Sequence, residues 1–301
     1  ERNRSRGAFG AITRSIDELA EKAQAVKEFE ARLLDGETVV DLDPAVIDVS
    51  FIADRLDDDS EAFEELLAAI RQTLGRSGPL AGRRVTVTAG GTQEALDPVR
   101  HLTNRSSGRM GYALAEAARD AGAAVRLIHA PTGLPAVYSV RMEPVRSAAD
   151  MEAAVMGAVP ETDILIMAAA PADFRPAQVA AQKIKKGTSG GLTLELERTA
   201  DIVASVGALP AGQRPRIVVG FAAETEDLLA NAAAKLRAKR LDLMVANDVA
   251  ATDSGFEVDT NRVILLTPDG GEERLPLMPK FDVAEQIVAR VASLWEGKEH
   301  G

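Results

Sequence analysis

The sequence predicts an α/β protein built on a doubly wound, mostly parallel, Rossmann-like sheet with helices on both faces. A mainly helical, partly flexible N-terminal segment precedes it. Three observations predict this. Short apolar runs alternate with helical patterns of ten to fifteen residues from about residue 84 onward. The first of these runs, "VTAGG", ends in paired glycines. Four runs end in polar or glycine-containing text, "AGGT", "AAAPADFRP", "GFAAET" and "ANDV". Open α/β sheets hold ligands beyond the carboxyl ends of their strands, so these endings mark where a site belongs.

The elements follow in order. "RRVTVTAGG" reads as a buried strand and "GYALAEAARDAGAAV" as an Ala-rich helix closed by Gly122. "AVRLIHAP" is a second strand and "VRMEPVR" a third. "SAADMEAAVMGAVP" is a helix capped by Ser147, and "TDILIMAAAPADFRP" a strand running into a loop. "PRIVVGFAAET" is a strand, "DLLANAAAKLRAKRL" a helix and "DLMVANDV" a strand. "NRVILLTPDGGEERLP" is a hairpin turning at Asp269-Gly270, and "KFDVAEQIVARVASLW" a terminal helix.

The first 76 residues differ in texture. Ile16, Leu19, Ala20, Ala23, Val26 and Phe29 recur at spacings of three and four, which predicts a helix over residues 15–34. A short strand, a Pro turn, an acidic loop and another helix follow. The run Asp57–Asp59 reads as a solvated loop and cap, because three consecutive side chains cannot surround a metal ion. "GRSGPLAGRR" (75–84) suits an exposed linker and places a boundary between residues 1–76 and 77–301.

Composition excludes several classes. The 301 residues carry a net charge of −11, most of it before residue 77, which disfavours generic nucleic-acid binding. Cysteine is absent, so no disulfide, thiolate nucleophile or Cys-based zinc site exists, and a reducing cytosol is the expected compartment. No apolar run approaches the roughly 18 residues of a membrane span, and no signal peptide is visible. The chain opens on Glu1, as a processed or truncated chain would.

Gly90 and Gly91 allow close backbone approach. A long polar loop separates them from a second small-residue turn, Ser106-Ser107-Gly108, before a helix starting near Arg109. Free amides at such a start hold phosphates or carboxylates. Two turns suit two ligands, a nucleotide and an anionic substrate, with Asn104 where they meet. Lys183, Lys185 and Lys186 of "QKIKKG" form either a solvated loop or a flap closing over phosphates. Lys235 and Lys239 share a helix face, as surface decoration or as a reach toward a triphosphate.

"VTAGGTQEALDPVRHLTNRSSGRMG" (87–111), "AAAPADFRP", "KIKK", "GFAAET" and "KLRAKRLDLMVANDV" occur in this order and together resemble the phosphopantothenoylcysteine synthetases of the bacterial, CTP-dependent type, over about residues 80–295. The resemblance implies a ligase of coenzyme A biosynthesis. It would join 4′-phosphopantothenate to L-cysteine with CTP and Mg²⁺, through an acyl-cytidylate, giving 4′-phosphopantothenoyl-L-cysteine, CMP and pyrophosphate. It further implies a cytoplasmic homodimer, with the hairpin near residues 261–276 a candidate dimer element. No FMN is expected, because the flavin-dependent decarboxylase often fused to this synthetase is not in these residues.

The resemblance also implies roles. Lys183 would neutralise the triphosphate as the acyl-cytidylate forms, and Asn104 would hydrogen-bond that intermediate. Asp173 would bind the nucleotide and Phe221 its base, with Lys235 and Lys239 on the phosphates. Gly90, Gly91, Ala168, Ala169 and Ala170 would offer backbone groups to the nucleotide. Asp201, Ile202 and Val203 match a nucleotide-contacting segment in which Ala200 replaces the family's usual Pro. Asn104, Ser106, Ser107 and Gly108 would bind the acyl substrate. The metal ligands stay unassigned.

"RGAFGAITRSIDEL" and "VVDLDPAVIDVSFIADRLDDDSEAFEELLAAIRQ" resemble the N-terminal stretch of ParB-type plasmid-partition proteins over residues 6–72. The nucleotide-binding and Arg-rich boxes and the helix-turn-helix of that family do not follow, so no partition activity is implied. Two rival functions are set against the ligase. An NAD(P)-dependent Rossmann oxidoreductase lacks support: the G-x-G-x-x-G spacing fails, and neither Tyr112 nor Tyr138 begins a Tyr-x-x-x-Lys pair. A non-enzymatic partition or scaffold protein would instead work through the first 76 residues.

Overall fold

The computed structural model describes residues 68, 69, 71–185, 191–224, 228–248 and 259–299. The helix expected over 15–34, the run Asp57–Asp59, nearly all of the ParB-like stretch and Lys186 lie outside the described residues. The chain divides into two units, Glu1–Ala81 with Asp120–Gly122, and Gly82–Arg119 with Ala123–Gly301. In the first, residues 71–75 are helical and Leu80 is buried.

The second unit carries the sheet. Its elements are β1 (Arg84–Ala89), β2 (Gln93–Ala95), β3 (His101–Thr103), α1 (Arg109–Asp120), β4 (Ala124–His129), β5 (Arg141–Pro144) and α2 (Ala148–Ala158). A 3₁₀ turn, Val159–Glu161, leads to β6 (Ile164–Met167), β7 (Phe174–Pro176), β8 (Leu196–Arg198), α3 (Ile202–Gly207) and β9 (Ile217–Glu224). Then come α4 (Leu228–Ala238), β10 (Leu243–Asp248), β11 (Thr260–Asn261), β12 (Val263–Leu266), β13 (Glu272–Arg274), β14 (Met278–Pro279) and α5 (Lys280–Glu299).

Eight strands form one sheet in the order β13-β12-β10-β9-β6-β1-β4-β5. The six from β10 to β5 run parallel, and β12 and β13 add an antiparallel hairpin at one edge. The chain leaves β1 toward β4 and β5, then returns to β6 on the other side of β1. The crevice of an open α/β sheet opens at such a reversal, beyond the carboxyl ends of β1 and β6.

The central strands are buried throughout: Val85 to Ala89 of β1 and all four residues of β6. Parallel strands covered on both faces read as continuous apolar runs, and these do. On one face Met151 and Val155 of α2, Ile202 and Val206 of α3, and Ala232 and Leu236 of α4 pack with Leu165, Val218 and Met244. On the other, α5 buries Val283, Ile287 and Val291 and contacts β9. Ser147 completes the expected cap of α2 as a reciprocal box. Its Oγ accepts the Asp150 N–H at 3.1 Å, and its own N–H goes to Asp150 Oδ2 at 2.9 Å.

Three two-stranded pairs, β2/β3, β7/β8 and β11/β14, and the six-residue α3 were not expected from the sequence. Two- and three-residue strands carry too few side chains to show a period.

Candidate functional site

The cleft at the reversal has a volume of about 310 Å³. It is lined from four directions: Asn104 and residues 106–111, residues 168–171 with Asp173, Phe221 and Ala222, and Asn247, Asn261 and Lys280. Asn104, Ser106, Ser107, Gly108, Ala168, Ala169, Ala170, Asp173 and Phe221, all singled out in the sequence, therefore meet in one cavity.

The two glycine turns build its walls. Gly90 adopts φ +82°, and its carbonyl accepts the Ala170 N–H at 2.9 Å. Gly91 bridges Ala170 in parallel fashion, and a Cβ there would stand 2.6 Å from Asn104 O. Gly90 and Gly91 are not among the lining residues; they let two protein backbones close behind the cavity. Gly108 adopts φ +79°, where an added Cβ would also strike Thr132 Cγ2 at 2.6 Å. Gly111 lets the first turn of α1 lie against β1, since a Cβ would meet Ala89 Cβ at 2.5 Å.

Threonines pin the strand end after β6. Thr88 Oγ1 accepts the Ala169 N–H at 3.1 Å, and buried Thr92 Oγ1 accepts the Ala172 N–H at 2.9 Å. Thr199 Oγ1 donates to Ala172 O at 2.6 Å. Asn104 Nδ2 donates to Pro171 O at 2.9 Å. The segment from Ala169 to Ala172 is thus held at successive residues by groups from β1, the glycine turn after it, the loop after β3 and Thr199 after β8. Such fixed backbone is what a ligand contact needs.

Other expected residues lie outside this cavity. Lys183 is exposed on a segment clamped through its neighbour: Ile184 N–H donates to Asp97 Oδ2 at 3.1 Å, and Ile184 O accepts from Arg100 Nη2 at 2.9 Å. The Arg100 guanidinium beside Asp97 holds its carboxyl well below the usual carboxylate range; burial opposes this, and the Val99, Ile184 and Arg100 N–H groups reinforce it. Asp201 caps α3, accepting the Ala204 N–H at 3.0 Å, and pairs with Lys239 Nζ at 2.8 Å. Burial works against ionisation of Asp201, yet Lys239 and the Ala204 N–H bring its carboxyl below the ordinary value. Ile202 is buried in the core and Val203 packs against it. Lys235, on α4, does not line the cavity.

Sequence reasoning missed Asn247, Asn261 and Lys280. Among the described residues Asn247 Oδ1 is buried with no hydrogen-bond partner, and a donor on a ligand would satisfy it. It sits in "ANDV", a strand ending that already pointed to the site. Asn261 is buried, its Oδ1 accepting the Arg262 N–H at 3.0 Å. Lys280 opens α5, is almost buried, and gave no signal, because a lysine starting a helix usually reads as surface. Among the described residues no group of three or more His, Asp or Glu could hold a metal ion. No helix among them is long and apolar enough to cross a membrane.

A doubly wound sheet whose polar cleft opens at the strand-order reversal defines an α/β ligand-binding domain. The chain belongs to the family described as the DNA/pantothenate metabolism flavoprotein C-terminal domain, whose model matches residues 80–294. It is 49% identical over 219 residues to the coenzyme A biosynthesis bifunctional protein CoaBC of Bacillus subtilis (strain 168), covering 72% of this chain and 53% of that protein. Identity to the protein of the same name from Mycobacterium tuberculosis (strain H37Rv) is 48% over 226 residues, covering 72% of this chain and 54% of that one. The chain thus spans about half the length of these curated relatives. The crystal structure of the C-terminal domain of a coenzyme A biosynthesis bifunctional protein CoaBC aligns with a TM-score of 0.62 at 38% identity, over 73% of this chain and 99% of that domain.

Proposed function

We propose that this chain is a ligase of coenzyme A biosynthesis that joins 4′-phosphopantothenate to L-cysteine at the expense of CTP, in the cytoplasm. The observation that carries the reading is the convergence of Asn104, the 106–108 turn, Ala168–Ala170, Asp173 and Phe221 on one cleft. It is supported by relatives named for coenzyme A biosynthesis at up to 49% identity.

The chemistry suits the residues. A carboxylate acylates an amine only when its oxygen becomes a good leaving group. Attack of the pantothenate carboxylate on the α-phosphorus of CTP expels pyrophosphate and leaves an acyl-cytidylate. The cysteine amine then displaces CMP, losing a proton as the amide forms. No enzyme nucleophile is needed, which accords with a chain that has no cysteine.

Phe221 offers an aromatic surface for the base, Ala168–Ala170 allow close approach of the ligand to fixed backbone, and the 106–108 turn at the start of α1 offers the attraction of a helix N-terminus for anionic groups. Asn104 is assigned to the mixed anhydride: with one Nδ2 hydrogen held by Pro171, the amide keeps a fixed orientation and a second donor. Lys183, on the clamped segment, is assigned to the triphosphate. Lys235 and Lys239 are assigned to outer phosphate oxygens. Mg²⁺ fits as an ion carried by the triphosphate, with Asp173 the one carboxylate lining the cleft among the described residues. That ion would spread negative charge during attack on phosphorus. A homodimer is part of this proposal.

The test is pyrophosphate release with phosphopantothenate and cysteine, across the four nucleoside triphosphates. CTP-dependent release, with CMP and the amide product by mass spectrometry, is expected. Release with none of the four, or a thermal shift with NADPH and none with CTP, overturns the reading.

A further inference from the structure

We propose that Lys280, with Arg109, forms an anion subsite in the cleft that takes a phosphoryl group. Lys280 is only 7% exposed, yet it is one of the residues lining the cavity. Among the described residues its ammonium has no hydrogen bond and no ion pair. A lysine whose stem is buried while its unpartnered ammonium stays open to solvent is poised to take an anion from a ligand.

The surroundings reinforce the assignment. Arg109 opens α1, lines the same cavity, and forms an ion pair with the exposed Asp259. Two cations therefore face one carboxylate, and the balance is positive. Asp259 is tied to Lys280 from the backbone as well, accepting its N–H at 2.9 Å. The Ser106-Ser107-Gly108 turn and the first residues of α1, Arg109 to Gly111, line the same cavity, and the start of this twelve-residue helix adds its own attraction for anions. Burial pushes the Lys280 ammonium toward deprotonation, Arg109 pushes the same way and Asp259 opposes. A dianionic phosphate restores the charged form.

This inference rests on the proposed ligase for the identity of its ligand. There a phosphoryl group arrives from two sources, the 4′-phosphate of the acyl substrate or the triphosphate of the nucleotide.

The test compares Lys280→Met and Lys280→Arg with the parent, all as the full chain. Thermal shift with inorganic phosphate and with pyrophosphate probes the subsite without turnover. The parent should be stabilised by at least one of them, Lys280→Met by neither, and Lys280→Arg by the same one less strongly. Without ligand, Lys280→Met should melt no lower than the parent, because the change removes an uncompensated charge. In turnover, Lys280→Met should raise KM at least tenfold for one substrate while kcat changes less. A rise confined to CTP assigns the triphosphate. A rise for phosphopantothenate, with unphosphorylated pantothenate unaffected, assigns the 4′-phosphate. Equal stabilisation of parent and Lys280→Met by both anions, or a lower ligand-free melting temperature with both KM values within twofold, overturns the subsite. Absence of CTP-dependent turnover in the parent would instead overturn the ligase reading, leaving the subsite to be decided by anion binding.

Discussion

Asn104 and Pro171 are joined by a hydrogen bond of 2.9 Å from Nδ2 to the carbonyl oxygen, across 67 residues of sequence. The bond ties the loop after β3 to the strand end after β6 at the mouth of the cleft. An aspartate in place of Asn104 has no donor for Pro171 O and turns a negative oxygen toward it. Asn104→Asp is expected to lower amide formation on the order of a hundred- to a thousand-fold, the usual cost of one lost transition-state donor. Because the residue is exposed, its melting temperature should stay close to the parent's. Mass spectrometry of reaction mixtures should find acyl-cytidylate accumulating with cysteine present; its absence, with full product formation, would sink the role.

Lys183 should act one step earlier. Lys183→Gln keeps a polar side chain, one atom shorter, and removes the charge, so neither acyl-cytidylate nor pyrophosphate should appear. The thermal midpoint should not move, since the side chain is exposed. Normal pyrophosphate release by this variant would show that the segment's charge is irrelevant.

Asp97 holds that segment through Ile184, so under the proposed role of Lys183 its ionisation should bear on both acid stability and turnover. Its folded carboxyl titrates well below its ordinary 3.8, so its stabilising share is complete above about pH 4 and disappears as pH falls below that. Asp97→Asn keeps an acceptor but loses the ion pair with Arg100. The variant should be less stable than the parent at pH 7, and the gap should close toward pH 2. Circular dichroism melts across this range check it, and a gap that widens on acidification contradicts the assignment. Turnover of Asp97→Asn at pH 7 should fall as well, with Lys183 no longer held.

The sheet was legible because its central strands β1 and β6 are buried on both faces and run into a glycine or proline, as "VTAGG" and "ILIMAAAP" do. Ser147 and Asp150 announced α2 through a local rule. The cleft-lining members of the site were legible from motif order. Lys280 was not, because its place depends on the starts of α1 and α5, some 170 residues apart in sequence, lining one cavity, which no local pattern encodes. The function of Gly91 was legible only in kind. Its missing Cβ admits Asn104 O rather than a ligand.

That packing makes Gly91→Ala a test of the cleft wall. With Asn104 O only 2.6 Å from the new Cβ, either the loop carrying Asn104 shifts or β1's end does. Destabilisation of about 1–3 kcal/mol is expected from the overlap, together with at least a tenfold loss in kcat/KM as Asn104 moves off Pro171. Unchanged turnover would mean that the loop's position is not critical.

Asp201 and Lys239 permit a final separation of structural from binding roles. Asp201 both caps α3 and holds Lys239, at 3.0 and 2.8 Å. Asparagine caps as well as aspartate but leaves the lysine unpaired. Asp201→Ala should cost about 1 kcal/mol from the lost cap, and Asp201→Asn clearly less, since the half-exposed pair contributes little. If Lys239 serves the nucleotide's phosphates, Lys239→Met should raise KM for CTP severalfold. Asp201→Asn, which frees the ammonium, should leave that KM equal or lower. Equal increases in both variants would mean that the ion pair matters as a unit, holding α3 against α4, and that Lys239 has no separate contact with the nucleotide.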